Sequence, residues 1–252
     1  MMDTWIVSVL SVTVVSVISL VGIVFIAVNP VRLQKLVFVL ISLAVGGLLG
    51  DCFFHLLPEA IKNIPNSSEI GFLVAFGLLS FFVIEKFLLW KHERYNPLRP
   101  DPKIKPLGYI SLVADSVHNL FDGVLIGSSY LVSFKVGLAT TVAIIFHEIP
   151  HEIGNFGTLI HAGVSIRRAL VLNFLTACTA FLGTVTALLF GTQIGGFSNL
   201  VLPFAGGGFI YLACCDLIPE LKKFNSLAHS LLQGVIIISG LILLYLFTFL
   251  EQ

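Results

Sequence analysis

The chain has 252 residues, of which 57% are hydrophobic and 11% charged, with a mean hydropathy of +1.01. That composition excludes a water-soluble globular surface and places the chain in a lipid bilayer. Fourteen Lys plus Arg balance fourteen Asp plus Glu, so no net positive field exists to attract nucleic acid.

Crossing about 30 Å of hydrocarbon takes roughly 20 apolar residues, and eight such runs follow one another: Trp5 to Val28, Leu36 to Ala60, Ile70 to Trp90, Gly108 to Tyr130, Val136 to His161, Ala169 to Gly191, Leu200 to Leu221 and Leu231 to Phe249. The first reads as a span rather than a leader, because it lacks a basic flank and a small-residue cleavage site. The expected fold is all-α, a polytopic membrane protein with eight transmembrane helices in one domain over 1–252 and a cytosolic loop at about 91–107. Cys52, Cys178, Cys214 and Cys215 lie in apolar runs without CxxC spacing, which argues against a disulfide framework.

Basic residues beside a span resist translocation. With both termini on the extracellular or lumenal side, the inner loops hold Arg32, Lys35, Lys86, Lys91, Arg94, Arg99, Lys103, Lys105, Arg167, Arg168, Lys222 and Lys223, and only Lys62 and Lys135 lie outside. That asymmetry also supports an even number of spans, and a weak internal repeat is visible in the second and seventh. Ala44 to Glu59 aligns without gaps on Ala205 to Glu220, repeating Ala44, Gly46, Gly47, Leu56, Pro58 and Glu59 as Ala205, Gly207, Gly208, Leu217, Pro219 and Glu220. These spans run in opposite directions, as in the inverted repeats of transporters.

An ionisable group near the bilayer centre costs at least ~2.5 kcal/mol unless it has a partner or a wet path. Here such groups are concentrated in four spans: Asp51, His55 and Glu59 in the second; Asp115, His118, Asn119 and Asp122 in the fourth; His147, Glu148, His151 and Glu152 in the fifth; Asp216 and Glu220 in the seventh. Spacing of four residues sets them in stripes on single helix faces. His118 and His147 sit near the middle of antiparallel spans, so they reach one depth. Imidazole with carboxylate suits a divalent first-row ion such as zinc, iron or manganese better than Mg²⁺ or Ca²⁺. Ligands of that kind bind in deprotonated form, so affinity falls in acid. Asp115 is spaced to accept the other N–H of His118 and orient the ring, and Pro150 frees the Phe146 carbonyl at the cluster.

The motifs His118-Asn-Leu-Phe-Asp-Gly123 and His147-Glu-Ile-Pro-His-Glu-Ile-Gly154 resemble those of the ZIP (Zrt/Irt-like) family of divalent metal transporters, HExPHE branch. The resemblance covers nearly the whole chain. It implies a 3+2+3 arrangement with helices 1–3 and 6–8 as inverted repeats, metal held between helices 4 and 5 as one ion or two, and movement into the cytosol by an elevator-like or rocking motion. Residue by residue, His118, Asp122, His147 and His151 resemble the first metal site, and Asn119, Glu148, His151 and Glu152 its neighbour. Asp51 and His55 would then line the outer approach, and Cys215, Asp216 and Glu220 the inner exit. The leading His147 implies zinc, with Fe²⁺, Mn²⁺ and Cd²⁺ as further cargo, no catalytic cofactor, and a homodimer as a possible assembly in the plasma membrane or an organelle membrane. Three departures stand out. Asn155 follows Gly154 where the branch usually has Asp, Val142 to Phe146 lack its Cys-Pro motif, and neither a histidine-rich loop nor an N-terminal domain is expected.

His147-Glu-Ile-Pro-His151 also satisfies HExxH, which makes an intramembrane zinc metalloprotease the alternative. Order argues against it. The Asp-Gly that would supply a third ligand comes before HExxH, and Pro150 lies between the histidines.

Overall fold

A computed structural model describes residues 4–23, 29–93, 106–222 and 226–249. Val28, Lys223 and the side chains of the expected loop from Lys91 to Pro106, including His92, Arg94, Arg99, Lys103 and Lys105, lie outside the described residues.

Each apolar run lies within a helix as far as it is described. Helix α1 is Thr4–Ile18, closed by a 3₁₀ turn at Ser19–Val21; α2 is Pro30–Asp51, extended through a π turn at Cys52–Leu56 into Leu57–Asn63. Helix α3 is Ser67–Glu93, α4 Pro106–Val132 and α5 Phe134–His161. Helix α6 comprises Ile166–Ala177 and Thr179–Gln193; α7 is Phe197–Tyr211, extended through a π turn at Leu212–Leu217 into Ile218–Leu221; α8 is Leu227–Leu246. No strand occurs among the described residues. Six stretches, α1, α2, α3, α6, α7 and α8, are long and apolar enough to cross a bilayer. Helices α4 and α5, of 27 and 28 residues, are of comparable length and carry closely spaced polar residues, Asp115, His118, Asn119 and Asp122 on α4 and His147, Glu148, His151 and Glu152 on α5.

Local chemistry marks the ends. Asn29 Oδ1 accepts from Val31 N at 2.9 Å with Pro30 opening α2, and Ser133 Oγ accepts from Val136 N at 3.2 Å to start α5. The two π turns fall at matching places in the internal repeat, since Cys52–Leu56 aligns on Ala213 to Leu217. Each precedes a proline, Pro58 or Pro219, whose missing N–H frees the carbonyl of Phe54 or Cys215 and favours a wider turn.

Glycine brings helix backbones together. A Cβ on Gly46 of α2 would come 2.2 Å from the Ile237 carbonyl oxygen of α8, and one on Gly207 of α7 would come 2.0 Å from that of Val74 in α3. These two glycines are equivalent in the repeat. A Cβ on Gly123 of α4 would meet the Ala180 oxygen of α6 at 1.9 Å, and one on Gly183 the Leu120 oxygen at 2.1 Å. The central core joins α2, α4, α5 and α7 through Leu48, Leu56, Ile126, Ile144 and Phe209. Phe72 and Phe76 on α3, with Leu231 and Ile238 on α8, remain exposed. Such apolar faces are an ordinary surface toward lipid.

Candidate metal site

Helices α4 and α5 pack as an antiparallel pair, joined at Ser133. His118 lies twelve residues after the start of α4 and His147 thirteen after the start of α5, so both sit ~18–20 Å from those ends at 1.5 Å per residue. Their imidazoles meet there, with His118 Nε2 3.2 Å from His147 Nε2.

Two carboxylates close the group. Glu148 Oε1 is 3.1 Å from His118 Nε2 and 3.7 Å from His147 Nε2; Asp122 Oδ2 is 3.2 Å from His147 Nε2 and 3.7 Å from His118 Nε2. All four ligand atoms lie within 4.8 Å of one another. Ligand atoms about 2.0–2.1 Å from a tetrahedral zinc lie roughly 3.3–3.4 Å apart, whereas neighbouring ligands of octahedral Mg²⁺ lie roughly 2.8–3.0 Å apart. The five separations that involve an imidazole nitrogen, 3.1–3.7 Å, lie closer to the edges of the tetrahedron than to those of the octahedron. His147 Nδ1 lies 3.2 Å from the Ala143 carbonyl. Donating there, it leaves the Nε2 lone pair for a metal.

A second set of donors adjoins the first. Asn119, Glu148 and Glu152 are fully buried, and Asn119 Oδ1, both Glu148 oxygens, Glu152 Oε1 and His151 Nδ1 take no hydrogen bond from the described residues. Buried polar atoms without partners are costly unless a cation or water meets them. Asp122 Oδ2 of the first set is in the same condition. His151, whose side chain is 39% exposed, stacks on His118 with ring centroids 4.5 Å apart, and its Nδ1 lies 3.9 Å from Glu148 Oε1. The four ligand atoms that come together among the described residues are those of His118, Asp122, His147 and Glu148, with His151 beside them. Asp115 pairs with His151 Nδ1 at 3.5 Å, not in the pairing with His118 that spacing suggests.

Asp51 and His55 are buried side by side on α2, with His55 Nδ1 3.5 Å from Asp51 Oδ1. Cys215, Asp216 and Glu220 line a cavity of about 850 Å³ together with Asp115 and His151; it reaches Leu33 of α2, Ser111 of α4 and Thr158 of α5. Two α6 residues escaped the sequence reasoning. Asn173 donates to Glu152 Oε2 and Thr176 to Asp115 Oδ2. The signal was available as two polar side chains three residues apart in an apolar span. Neither is ionisable, however, and hydroxyl and amide groups are common there. On α3, Glu85 accepts a hydrogen bond from Tyr211 of α7.

The HExxH helix is not arranged as in a protease. Glu148 Oε1 stands among the ligand atoms, and the second histidine of the motif, His151, lies outside the four-ligand group.

The family model for the ZIP Zinc transporter matches residues 2–105 and 99–248. The Zinc transporter ZIP13 of Mus musculus is 34% identical over 247 residues, an alignment covering 82% of this chain and 68% of that protein. The human (Homo sapiens) Zinc transporter ZIP13 is 32% identical over 259 residues, with 83% and 70% covered. The human Zinc transporter SLC39A7 is 29% identical over 311 residues, with 88% and 66% covered. The chain thus spans about two thirds of the length of these curated relatives. They are named as transporters and lend no support to the protease alternative.

Proposed function

Because the chain belongs to the ZIP zinc transporter family, we propose that it carries a divalent metal ion, zinc foremost, across the membrane through the site between α4 and α5. The observation that carries this reading is the convergence of four ligand atoms, with the Nε2 atoms of His118 and His147 3.2 Å apart and each 3.1–3.7 Å from Asp122 Oδ2 and Glu148 Oε1. Two imidazoles and two carboxylates at mid-helix depth are a donor set for a first-row cation, and a cation offsets the desolvation of groups otherwise stranded in hydrocarbon. The neighbouring donor atoms of Asn119, Glu148, His151 and Glu152, which take no hydrogen bond from the described residues, would serve a second ion.

All eight helices then act as spans, with α1–α3 and α6–α8 as inverted repeats around α4 and α5, and both termini on the extracellular or lumenal side. The matched π turns and the equivalent Gly46 and Gly207 contacts support this arrangement. The cavity that joins Asp115 and His151 to Cys215, Asp216 and Glu220 is the inner exit, while burial of Asp51 and His55 closes the outer approach. In this inward-facing form the metal leaves toward the cytosol.

Purified protein in liposomes tests the proposal. Zinc uptake is expected for the unchanged chain and is lost in His118→Ala and His147→Ala, each checked for a retained melting temperature in detergent. Undiminished uptake in folded variants rules out this site as the path.

A further inference from the structure

Asn173 of α6 is fully buried, and its hydrogen-bonding capacity is filled in one direction only. Its Nδ2 donates to the Ser19 carbonyl oxygen of α1 at 3.1 Å and to Glu152 Oε2 of α5, and its Oδ1 accepts from Asn155 Nδ2 at 2.7 Å. Asn155 Oδ1 in turn accepts from Ser111 Oγ of α4. The chain of donation therefore runs Ser111 to Asn155 to Asn173 to Glu152, and every step has one polarity. Turning the Asn173 amide over would set its oxygen against two acceptors, Ser19 O and a Glu152 oxygen, and its NH₂ against that of Asn155. A buried arrangement of that kind leaves donors and acceptors unmet.

The consequence falls on Glu152. One oxygen is tied by Asn173, while Oε1 remains buried without a hydrogen bond. Thr176, one turn further along α6, treats Asp115 in the same way: it donates to Oδ2, and Oδ1 faces His151 Nδ1 at 3.5 Å. Helix α6 thus donates to one oxygen of each of two carboxylates, one on α4 and one on α5.

We propose that Asn173 is a positioning residue for metal binding, which holds Glu152 with one oxygen presented to the cation, and that Asn155 sets the direction of this hold by donating to Asn173. The proposal rests on the reading of the α4–α5 cluster as the cation site. It also gives a role to the amide at 155, a position where an acidic side chain would offer Asn173 Oδ1 no donor.

The test compares Zn²⁺ binding by the purified full chain, read by calorimetry, with Zn²⁺ uptake in proteoliposomes. Asn173→Asp keeps the shape of the side chain and removes both donations. It is expected to weaken binding by roughly tenfold or more, the usual effect of losing a group that orients a ligand, and to raise the apparent KM more than it lowers maximal uptake; the melting temperature falls as well, because the new oxygen faces the acceptors Ser19 O and Glu152 Oε2. Asn155→Leu removes the donor to Asn173 and is expected to shift binding in the same direction by a smaller factor. His147→Ala serves as the separate check on the cation site. If it abolishes binding while Asn173→Asp binds as the unchanged chain does, the positioning role is overturned and the site survives. Retained binding in His147→Ala overturns the site itself. Should Asn173→Asp not fold, Asn155→Leu decides alone, and unchanged binding there rejects the proposal.

Discussion

Glu148 is the carboxylate on which the site converges, with Oε1 3.1, 3.7 and 3.9 Å from ring nitrogens of His118, His147 and His151. Replacing it by Gln keeps the shape and removes the charge that balances a cation against buried imidazoles. Stranding one partner of a buried charge pair costs about 3 kcal/mol or more, which is roughly 150-fold in Kd. Glu148→Gln is therefore expected to weaken zinc binding at least that much in a calorimetric titration, and a change of only a few-fold would remove Glu148 from the ligand set. The histidines of the same helix should separate as well. His147→Ala removes an atom of the four-ligand group, whereas His151→Ala removes a half-exposed ring beside it, so the first should cost more affinity than the second. The ionisable members of this cluster were legible because each is expensive in hydrocarbon and their spacing of four residues repeats. Which carboxylate joins which imidazole was not, because pairs on one helix say nothing about the rotation of its neighbour; Asp115 turned to His151 for that reason.

At the level of helices, apolar runs located the elements to within a few residues, since burial in lipid demands uninterrupted apolar length. The π turns at Cys52–Leu56 and Leu212–Leu217 were not legible, although Pro58 and Pro219 mark them in hindsight. An extra residue in a turn leaves hydropathy unchanged. The role of Gly123, the last residue of the α4 motif, becomes plain only when α6 is in place, because its position would put a Cβ 1.9 Å from the Ala180 backbone oxygen. Backbone cannot step aside as a side-chain tip can, so Gly123→Val should force α4 and α6 apart. Overpacking of this kind costs about 1–3 kcal/mol, and Asp122 next door would move with the backbone. A lower melting temperature in detergent together with weaker zinc binding is expected, while Gly71→Ala on α3, where nothing lies within 4 Å of the added carbon, should leave both unchanged. If Gly123→Val melts as the unchanged chain does, the close packing of α4 on α6 is not what holds the site.

Across the whole molecule, the proposed direction of transport depends on which end of the bundle the cavity meets. Its lining runs from Asp115 and His151 to Leu33, Thr158 and Glu220; Leu33 and Glu220 lie within two residues of Arg32, Lys35 and Lys222 in the sequence, basic residues that the proposed orientation assigns to the cytosolic face by the positive-inside rule. Cys215 reports on this directly, being an exposed thiol in the cavity lining, whereas Cys52 is buried and donates to the Gly206 carbonyl at 3.4 Å. In a Cys178→Ser, Cys214→Ser background, a charged, membrane-impermeant thiol reagent should modify Cys215 when applied to the face that bears the basic loops and should fail from the opposite face. Labelling at that single position should slow zinc release, because the adduct stands beside Asp216 and Glu220 in the same passage. Alternating access adds a further condition: any state that opens Asp51 and His55 outward must close the inner cavity, so no conformation should expose Cys215 to the outer face. Modification from the outer face alone would reverse the orientation, and with it the inference that metal moves into the cytosol.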